Sequence, residues 1–174
     1  NNTLIGYDAG TAITTGDKNT FYGHNAGYST TTADKNVAIG SSALYDNATG
    51  AENTVVGASA LNQSTTASNN SAFGRNAGNA ITTGSNNTLF GHSAGKSSTI
   101  NSNIVAVGYQ ALENANNTSL ADTKLTAVGY QAGKATTTGQ ENVYLGSYAA
   151  ADNTTGLRNV VIGHNAAKQQ TNLQ

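Results

Sequence analysis

The chain has 174 residues, a formal net charge of −1 at pH 7, only 10% charged residues, and neither cysteine nor proline. Eight lysines and arginines against nine aspartates and glutamates exclude the strongly basic surface typical of nucleic-acid binding. Apolar runs stay far below the roughly 20 residues of a membrane-spanning helix, and a chain without cysteine lacks disulfides and most metal sites. We therefore expect no nucleic-acid partner, no membrane insertion, no metal and no cofactor.

A short phrase, Asn-x-x-apolar-Gly-x-x-Ala, recurs along the whole chain and sets its organisation. Its glycine returns every 17 residues, with one interval of 21 residues between Gly108 and Gly129. A fixed period of this length indicates units that become stable by stacking on their neighbours. The sequence therefore predicts one all-β domain over 1–174, a β-solenoid (parallel β-roll) of ten 17-residue coils. The predicted coils are 1–17, 18–34, 35–51, 52–68, 69–85, 86–102, 103–123 with a four-residue insertion, 124–140, 141–157 and 158–174.

Asparagine stands four residues before the glycine in most repeats, and Ile104 and Leu125 replace it in two of them. Stacked coils lie about 4.8 Å apart, so identical amides can donate and accept hydrogen bonds along the stack. We predict a structural asparagine ladder. Its members are Asn2, Asn19, Asn36, Asn53, Asn70, Asn87, Asn142 and Asn159.

The two residues before the glycine are both apolar, as in Val55 and Val56. Neighbours in a strand point to opposite faces, so this pattern predicts a short strand that is covered on both sides. One side is the interior of the coil. The other is explained by packing against another copy of the chain, or alternatively by a monomeric coil with a half-exposed apolar column.

The residue directly after the glycine is variable and is predicted to point outward. Aromatic and hydrogen-bonding side chains at this position could stack on sugar rings and bond their hydroxyls, or they are ordinary solvent-facing strand residues. We call this position the aromatic column. Its candidate ligand-contact residues are Tyr7, His24, Arg75, His92, Tyr109, Tyr130 and His164.

After the recurring phrase, each repeat enters a polar stretch such as Thr14-Thr15-Gly16, which predicts a turn. We therefore expect two short strands and two corners in each coil. Recurring threonine pairs also allow an ice-binding surface, although adjacent side chains are expected to point apart. Asp17 and Asp34 share one phase of the repeat, so their carboxylates could form a glycan-hydrolase pair, but charged turn residues are the simpler explanation.

The single long interval contains four extra residues within the segment 113–124. An insertion in a solenoid is expected to protrude as a loop, and such loops often carry contacts. A tolerated bulge is the alternative. The candidate contact loop is Asn116, Asn117, Thr118 and Ser119.

The segment Asn36-Val37-Ala38-Ile39-Gly40-Ser41-Ser42-Ala43 resembles the head repeat of trimeric autotransporter adhesins of the YadA type. The phrases at 107–112 and 128–133 are similar to repeats in the shafts of phage tail fibres. The adhesin repeat is typically shorter, so its corners and handedness do not transfer to this chain. The resemblance implies a homotrimer, with the three chains intertwined or packed together. It also implies an elongated attachment structure outside the cell, on a virion tail fibre or a cell surface.

These observations together predict a structural or adhesive segment of an extracellular trimeric fibre, without enzymatic activity. Its expected partners are other copies of itself, a longer fibre of which it is part, and a host-surface glycan or receptor. Ice binding and a tailspike-like glycan hydrolase are the alternative functions.

Overall fold

A computed structural model describes residues 1–119 and 122–173 of the chain. These residues contain three-residue β-strands and no α-helix, and therefore no helix that could cross a membrane. Leu120, Ala121 and Gln174, which belong to the seventh and tenth predicted coils, lie outside the described residues. The strands are β1 Thr3–Ile5, β2 Thr20–Tyr22, β3 Val37–Ile39, β4 Thr54–Val56, β5 Ser71–Phe73, β6 Thr88–Phe90, β7 Val105–Val107, β8 Thr126–Val128, β9 Val143–Leu145 and β10 Val160–Ile162.

All these strands belong to one parallel sheet in chain order from β1 to β10. The register repeats the sequence period, since Val55 pairs with Ala38 on one side and with Ala72 on the other. The insertion does not shift this register, because Ala106 still pairs with Ala127 across it. The predicted all-β β-solenoid is confirmed, with about nine turns between the first and the last described strand.

The prediction of a second strand in each coil is wrong. Outside β1 to β10, the part of the chain that the structure describes adds two isolated parallel bridges, Ser102 to Asp122 and Gln140 to Leu157. The rest of each coil runs through bends and turns, which bond to the next coil through separate backbone hydrogen bonds such as Gly27 N–H to the Ala43 carbonyl at 2.9 Å. The coil therefore closes by consecutive turns around a single strand.

The coil around Gly57 shows how these turns are built. Ala60 N–H donates to the Gly57 carbonyl and Ser64 N–H donates to the Leu61 carbonyl, each at 3.2 Å. The residues Ser59 and Leu61 have φ of 55° and 44°. A left-handed conformation costs a leucine about 1–2 kcal/mol, whereas full burial of its side chain contributes about 1.5–3 kcal/mol. Leu61 is completely buried, so burial offsets the backbone strain.

The glycines of the recurring phrase stack in a column, which we call the glycine column. Glycine is required there because adjacent coils approach each other closely. Gly57 has φ of +142°, and a Cβ placed on it would lie 2.5 Å from the Gly74 carbonyl oxygen of the next coil. The alanines three residues later, such as Ala60 and Ala77, are fully buried except in the first and last coils. Backbone and methyl groups thus fill much of the narrow interior.

The remaining interior volume is shared between the middle residue of the strand and the fourth residue after the column glycine. Ala38 is accompanied by the buried Leu44, while Phe21 is accompanied by Gly27, where a Cβ would overlap the Phe21 ring. In most coils one of these two side chains is large and the other is small, although the coil of Val55 also has a buried leucine at the second position. This exchange keeps the interior close-packed although the individual residues differ.

The ladder asparagines line the inside of the coil next to the strand. Asn53 Nδ2 donates to Asn36 Oδ1 at 3.0 Å and to the Ala67 carbonyl at 2.8 Å, and Asn53 Oδ1 accepts the Asn70 backbone N–H at 3.0 Å. Both Asn36 and Asn53 are fully buried. Each amide thus ties two coils together and also closes its own coil.

Candidate interaction surfaces

The outer side of the sheet carries an apolar strip, formed by the third residue of each strand from β1 to β10 and bordered by the first residue, which is valine in four of these strands and threonine or serine in the other six. In β4 the middle residue Val55 is fully buried, whereas Thr54 and Val56 on either side of it are half-buried. Larger members reach further into solvent, with Tyr22 at 55% and Leu145 at 45% exposure. The strand therefore has two apolar sides, of which the coil itself covers one.

The apolar strip is continuous along the solenoid. Nine steps of about 4.8 Å give it a length of roughly 43 Å. Within it, the rings of Phe73 and Phe90 stack with centroids 4.5 Å apart. Parallel sheets are generally covered on both faces, and a long exposed apolar surface is typical of an association site. A lone chain leaves this face in water.

The aromatic column follows the strip around the glycine corner, and the structure divides it into two parts. Tyr7 and His24 stack at 5.5 Å in the first two coils, after which Ser41 and Ala58 interrupt the column. The second part begins at Arg75, whose Nη1 lies 3.5 Å from His92 Nε2. Its remaining residues are His92, Tyr109, Tyr130 and, further along, His164.

In the second part the aromatic rings cover one another. The Tyr109 ring is stacked between those of His92 and Tyr130, with both centroid distances 5.3 Å and interplanar angles of 15° and 10°. At Tyr109 a ligand therefore meets the ring edge and the hydroxyl, and not the ring faces. Tyr109 and Tyr130 are each 43% exposed, so those edges are accessible.

Several neighbours of this column were missed by the sequence reasoning because they stand at other positions of the repeat. Tyr148, two residues after its glycine, contacts Tyr130 edge-on at 5.1 Å and His164 at 6.4 Å. Its side-chain hydrogen bond raises the pKa of the Tyr130 hydroxyl. Lys168 Nζ lies 4.1 Å from the centre of the Tyr148 ring. The sequence does contain an indication of this contact. Ser147 occupies the aromatic-column position in that coil, and its small side chain leaves room for Tyr148.

The fifth residue after the glycine forms another outward row. Lys134 Nζ lies 3.6 Å from Glu113 Oε2, and Tyr28 stacks on Tyr45 at 5.0 Å in an earlier part of the chain. Between the aromatic column and this row, Gln131 Nε2 donates to Gln110 Oε1 at 2.6 Å. Recurrence of lysine and tyrosine at this phase could have revealed the row from the sequence.

The candidate contact loop is only partly exposed. Asn116 Oδ1 accepts a hydrogen bond from Thr99 Oγ1 at 2.7 Å, and Asn117 is buried, with its Nδ2 donating to the Thr138 carbonyl at 3.2 Å. These two residues continue the coil. Of the four predicted contact residues, Thr118 and Ser119 are the exposed ones.

The two alternative functional sites lie at the corners of the coil. Asp34 Oδ1 accepts the Asp17 backbone N–H at 2.7 Å, and Asp17 Oδ1 lies 3.6 Å from Lys18 Nζ. These carboxylates are therefore engaged in turn contacts typical of a surface corner. Within residues 1–119 and 122–173, no group of three or more histidine, aspartate or glutamate side chains is placed to hold a metal ion.

The paired threonines share one outward corner, although they were expected to point apart. Thr65 and Thr66 are both exposed, because they lie in a bend between two buried residues, Ser64 and Ala67. The first hydroxyl is not free, since Thr65 Oγ1 donates to the Thr82 carbonyl at 3.1 Å. Other hydroxyls of the first threonine row also donate to carbonyls of the next coil.

No protein-family model, curated protein or solved structure matches the chain.

Proposed function

We propose that this chain is a rigid spacer in an extracellular homotrimeric fibre, in which the apolar strips of three copies pack together around a common axis. The fibre belongs to a virion tail or a cell surface, takes part in attachment, and has no catalytic role. The observation that carries the proposal is the exposed apolar strip. Its burial would give the sheet the second cover that parallel sheets generally have.

The geometry of the solenoid supports a spacer role. The coils are linked by a sheet in constant register, by the close approach of the glycine column and by asparagine amides that connect consecutive coils. Such a rod resists bending and holds its two ends at a fixed separation. The number three is supported by the resemblance of the repeats to adhesin heads and tail-fibre shafts.

The mass of the particle in solution tests this proposal. Light scattering coupled to size exclusion is expected to give three times the chain mass of 17.6 kDa at micromolar concentration. The double variant Val56→Lys with Val107→Lys should reduce this mass, because two charges in each chain would then enter the buried strip. A monodisperse wild-type particle of one chain mass would refute the assembly.

The matched control places the same charges elsewhere. Thr66→Lys with Thr138→Lys adds two lysines at exposed corner positions of the same solenoid. This variant should keep the wild-type mass. Equal dissociation of both variants would show that added charge, and not the strip, determines the mass.

Ice binding is a second candidate function, favoured by the shared exposure of the threonine rows at one corner. A regular row of methyls and hydroxyls on a rigid scaffold could order water. Thermal hysteresis measured at millimolar protein tests this function, and its absence would reject it. The double variant Thr66→Lys with Thr138→Lys should remove any hysteresis that is found.

A further inference from the structure

One connected set of side chains runs along the second part of the aromatic column and is not explained by the spacer role. We call it the cationic-aromatic surface. The contacts between its members join coils five to ten, from the Arg75–His92 contact at 3.5 Å to Lys168 at 4.1 Å from the Tyr148 ring. Its members are Arg75, His92, Tyr109, Tyr130, Tyr148 and Lys168.

The charge of this face changes sign along the solenoid. Among the six residues that follow each column glycine, the first four coils carry two carboxylates, Asp8 and Asp46, and no lysine or arginine. The last six coils carry four cations against two carboxylates, a net charge of +2 on a chain whose total is −1. Those cations are Arg75, Lys96, Lys134 and Lys168. Positive charge is therefore concentrated beside the stacked rings, where it would raise the local concentration of an anionic ligand.

The stacking also determines which classes of ligand this surface can bind. An aromatic ring is negative on its faces and positive at its edge, and the faces of Tyr109 are covered by His92 and Tyr130. What remains exposed is a row of positive edges, tyrosine hydroxyls and cationic groups. This arrangement favours a ligand rich in anionic and acceptor oxygens, and it disfavours nucleobases, which need open ring faces for stacking.

We propose that the cationic-aromatic surface binds an extended acidic polysaccharide, with carboxylates near Arg75 and Lys168 and sugar hydroxyls against the edges of Tyr109 and Tyr130. The ring spacing of 5.3 Å is comparable to the length of one sugar unit in such a chain. The inference deepens the proposed attachment role and rests on it in one respect, since the apolar strip, and not this surface, must be the face that meets other copies.

Binding of the full chain to sodium polygalacturonate tests the inference, with the neutral polysaccharide pullulan as the comparison. Affinity electrophoresis should show retention by polygalacturonate alone, and added salt should weaken it. Arg75→Gln with Lys168→Gln should weaken binding about tenfold, because two solvent-exposed ion pairs are lost. Tyr109→Phe with Tyr130→Phe keeps the stack and removes two hydroxyls, and it should weaken binding about threefold.

Tyr28→Phe with Tyr45→Phe is the matched control. This pair is stacked in the same way at 5.0 Å but lies in the acidic half of the face, so its binding should equal that of the wild type. Equal retention by pullulan, no retention by polygalacturonate, equal retention by single-stranded DNA, or an equal loss in the control would overturn the inference. Light scattering on the same samples separates the two proposals. Trimers that do not bind refute only the ligand, and single chains that bind refute only the assembly.

Discussion

The regular coils before Asn101 and the irregular stretch from 101 to 125 build the same interior from different side chains. In the regular coils the position beside the strand holds a hydrogen-bonded amide such as Asn53, whereas the irregular stretch has Ile104 and Leu125, both buried. Gly108 and Gly129 nevertheless keep the same close approach, since a Cβ on Gly108 would lie 2.5 Å from the Gly129 carbonyl oxygen. The backbone contact is therefore constant, while the amide ladder can be replaced by apolar packing.

The amide ladder ends at this stretch, and a buried amide without partners lies close to that end. Asn87 Oδ1 still accepts the Ile104 backbone N–H at 3.0 Å, which ends the first run of the ladder. The side-chain amide of Asn101 is fully buried, and neither its oxygen nor its nitrogen has a hydrogen-bond partner. The regular coils contain buried unpaired atoms singly, such as Ser64 Oγ, whereas both polar groups of the Asn101 amide are unpaired. Because unpaired buried amides are destabilising, the irregular stretch is expected to be the weaker part of the rod.

The largest effect is expected from substitution in the glycine column. Gly57→Ala should lower the free energy of unfolding by about 3–5 kcal/mol, because the methyl group meets the Gly74 carbonyl and the backbone conformation is unfavourable for alanine. Gly163→Ala keeps the unfavourable φ of +127° but meets only the Ala166 methyl at 3.7 Å. Its expected cost is about 1–3 kcal/mol. Urea unfolding compares the two, and equal costs would show that coil approach is unimportant.

Substitution within the ladder should have the next largest effect. Asn53→Ala leaves the Asn70 N–H and the Ala67 carbonyl without their side-chain partner, at a cost of about 2–4 kcal/mol. Asn2→Ala at the half-buried first position should cost about 1 kcal/mol. Hydrogen exchange of the Asn70 amide provides a local measurement. Unchanged protection of that amide in Asn53→Ala would contradict the role assigned to the ladder.

Restoring the ladder in the irregular stretch sharpens the comparison. Ile104→Asn and Leu125→Asn should each destabilise, since each buries an amide beside an apolar neighbour. The double variant should lose about 1 kcal/mol less than the sum of the two single variants, because the new amides can bond each other. Urea unfolding of the three variants tests this coupling. If the losses in the free energy of unfolding are additive, the side chains at the two positions do not interact.

The smallest effect concerns the coils after the insertion, where a tyrosine bonds an asparagine inside the coil. Asn153 Nδ2 donates to the Tyr144 hydroxyl at 2.6 Å, and burial raises the pKa of Tyr144. Since the folded chain then holds this proton more tightly than the unfolded chain, the associated stability is present below about pH 10 and is lost as the pH rises through the raised pKa. Tyr144→Phe should cost about 1 kcal/mol at neutral pH and reduce the alkaline loss of stability. An unchanged pH profile of thermal unfolding would contradict this assignment.

The sequence period was sufficient to predict the sheet and its in-out pattern, because one apolar pair recurring at constant spacing allows few arrangements. It did not predict that the rest of the coil is made of turns. Leu44 and Leu61 lie in these turns with positive φ, which the sequence does not indicate for a leucine, because burial outweighs backbone strain. The aromatic column was predicted to face outward. The mutual covering of its rings depends on side-chain orientation, and Tyr148 enters from a different position of the repeat.

The shared volume inside each coil has a consequence for how such a rod can change over generations. Phe21 fits because Gly27 is small, and the large Leu44 lies in a coil whose strand has the small Ala38. A recombination event that joined the strand of Phe21 to the turn of Leu44 would bring two bulky side chains into one coil. Exchange of whole coils avoids this clash. Reach can therefore lengthen or shorten in increments of one coil, about 4.8 Å each, with little disturbance to the remainder.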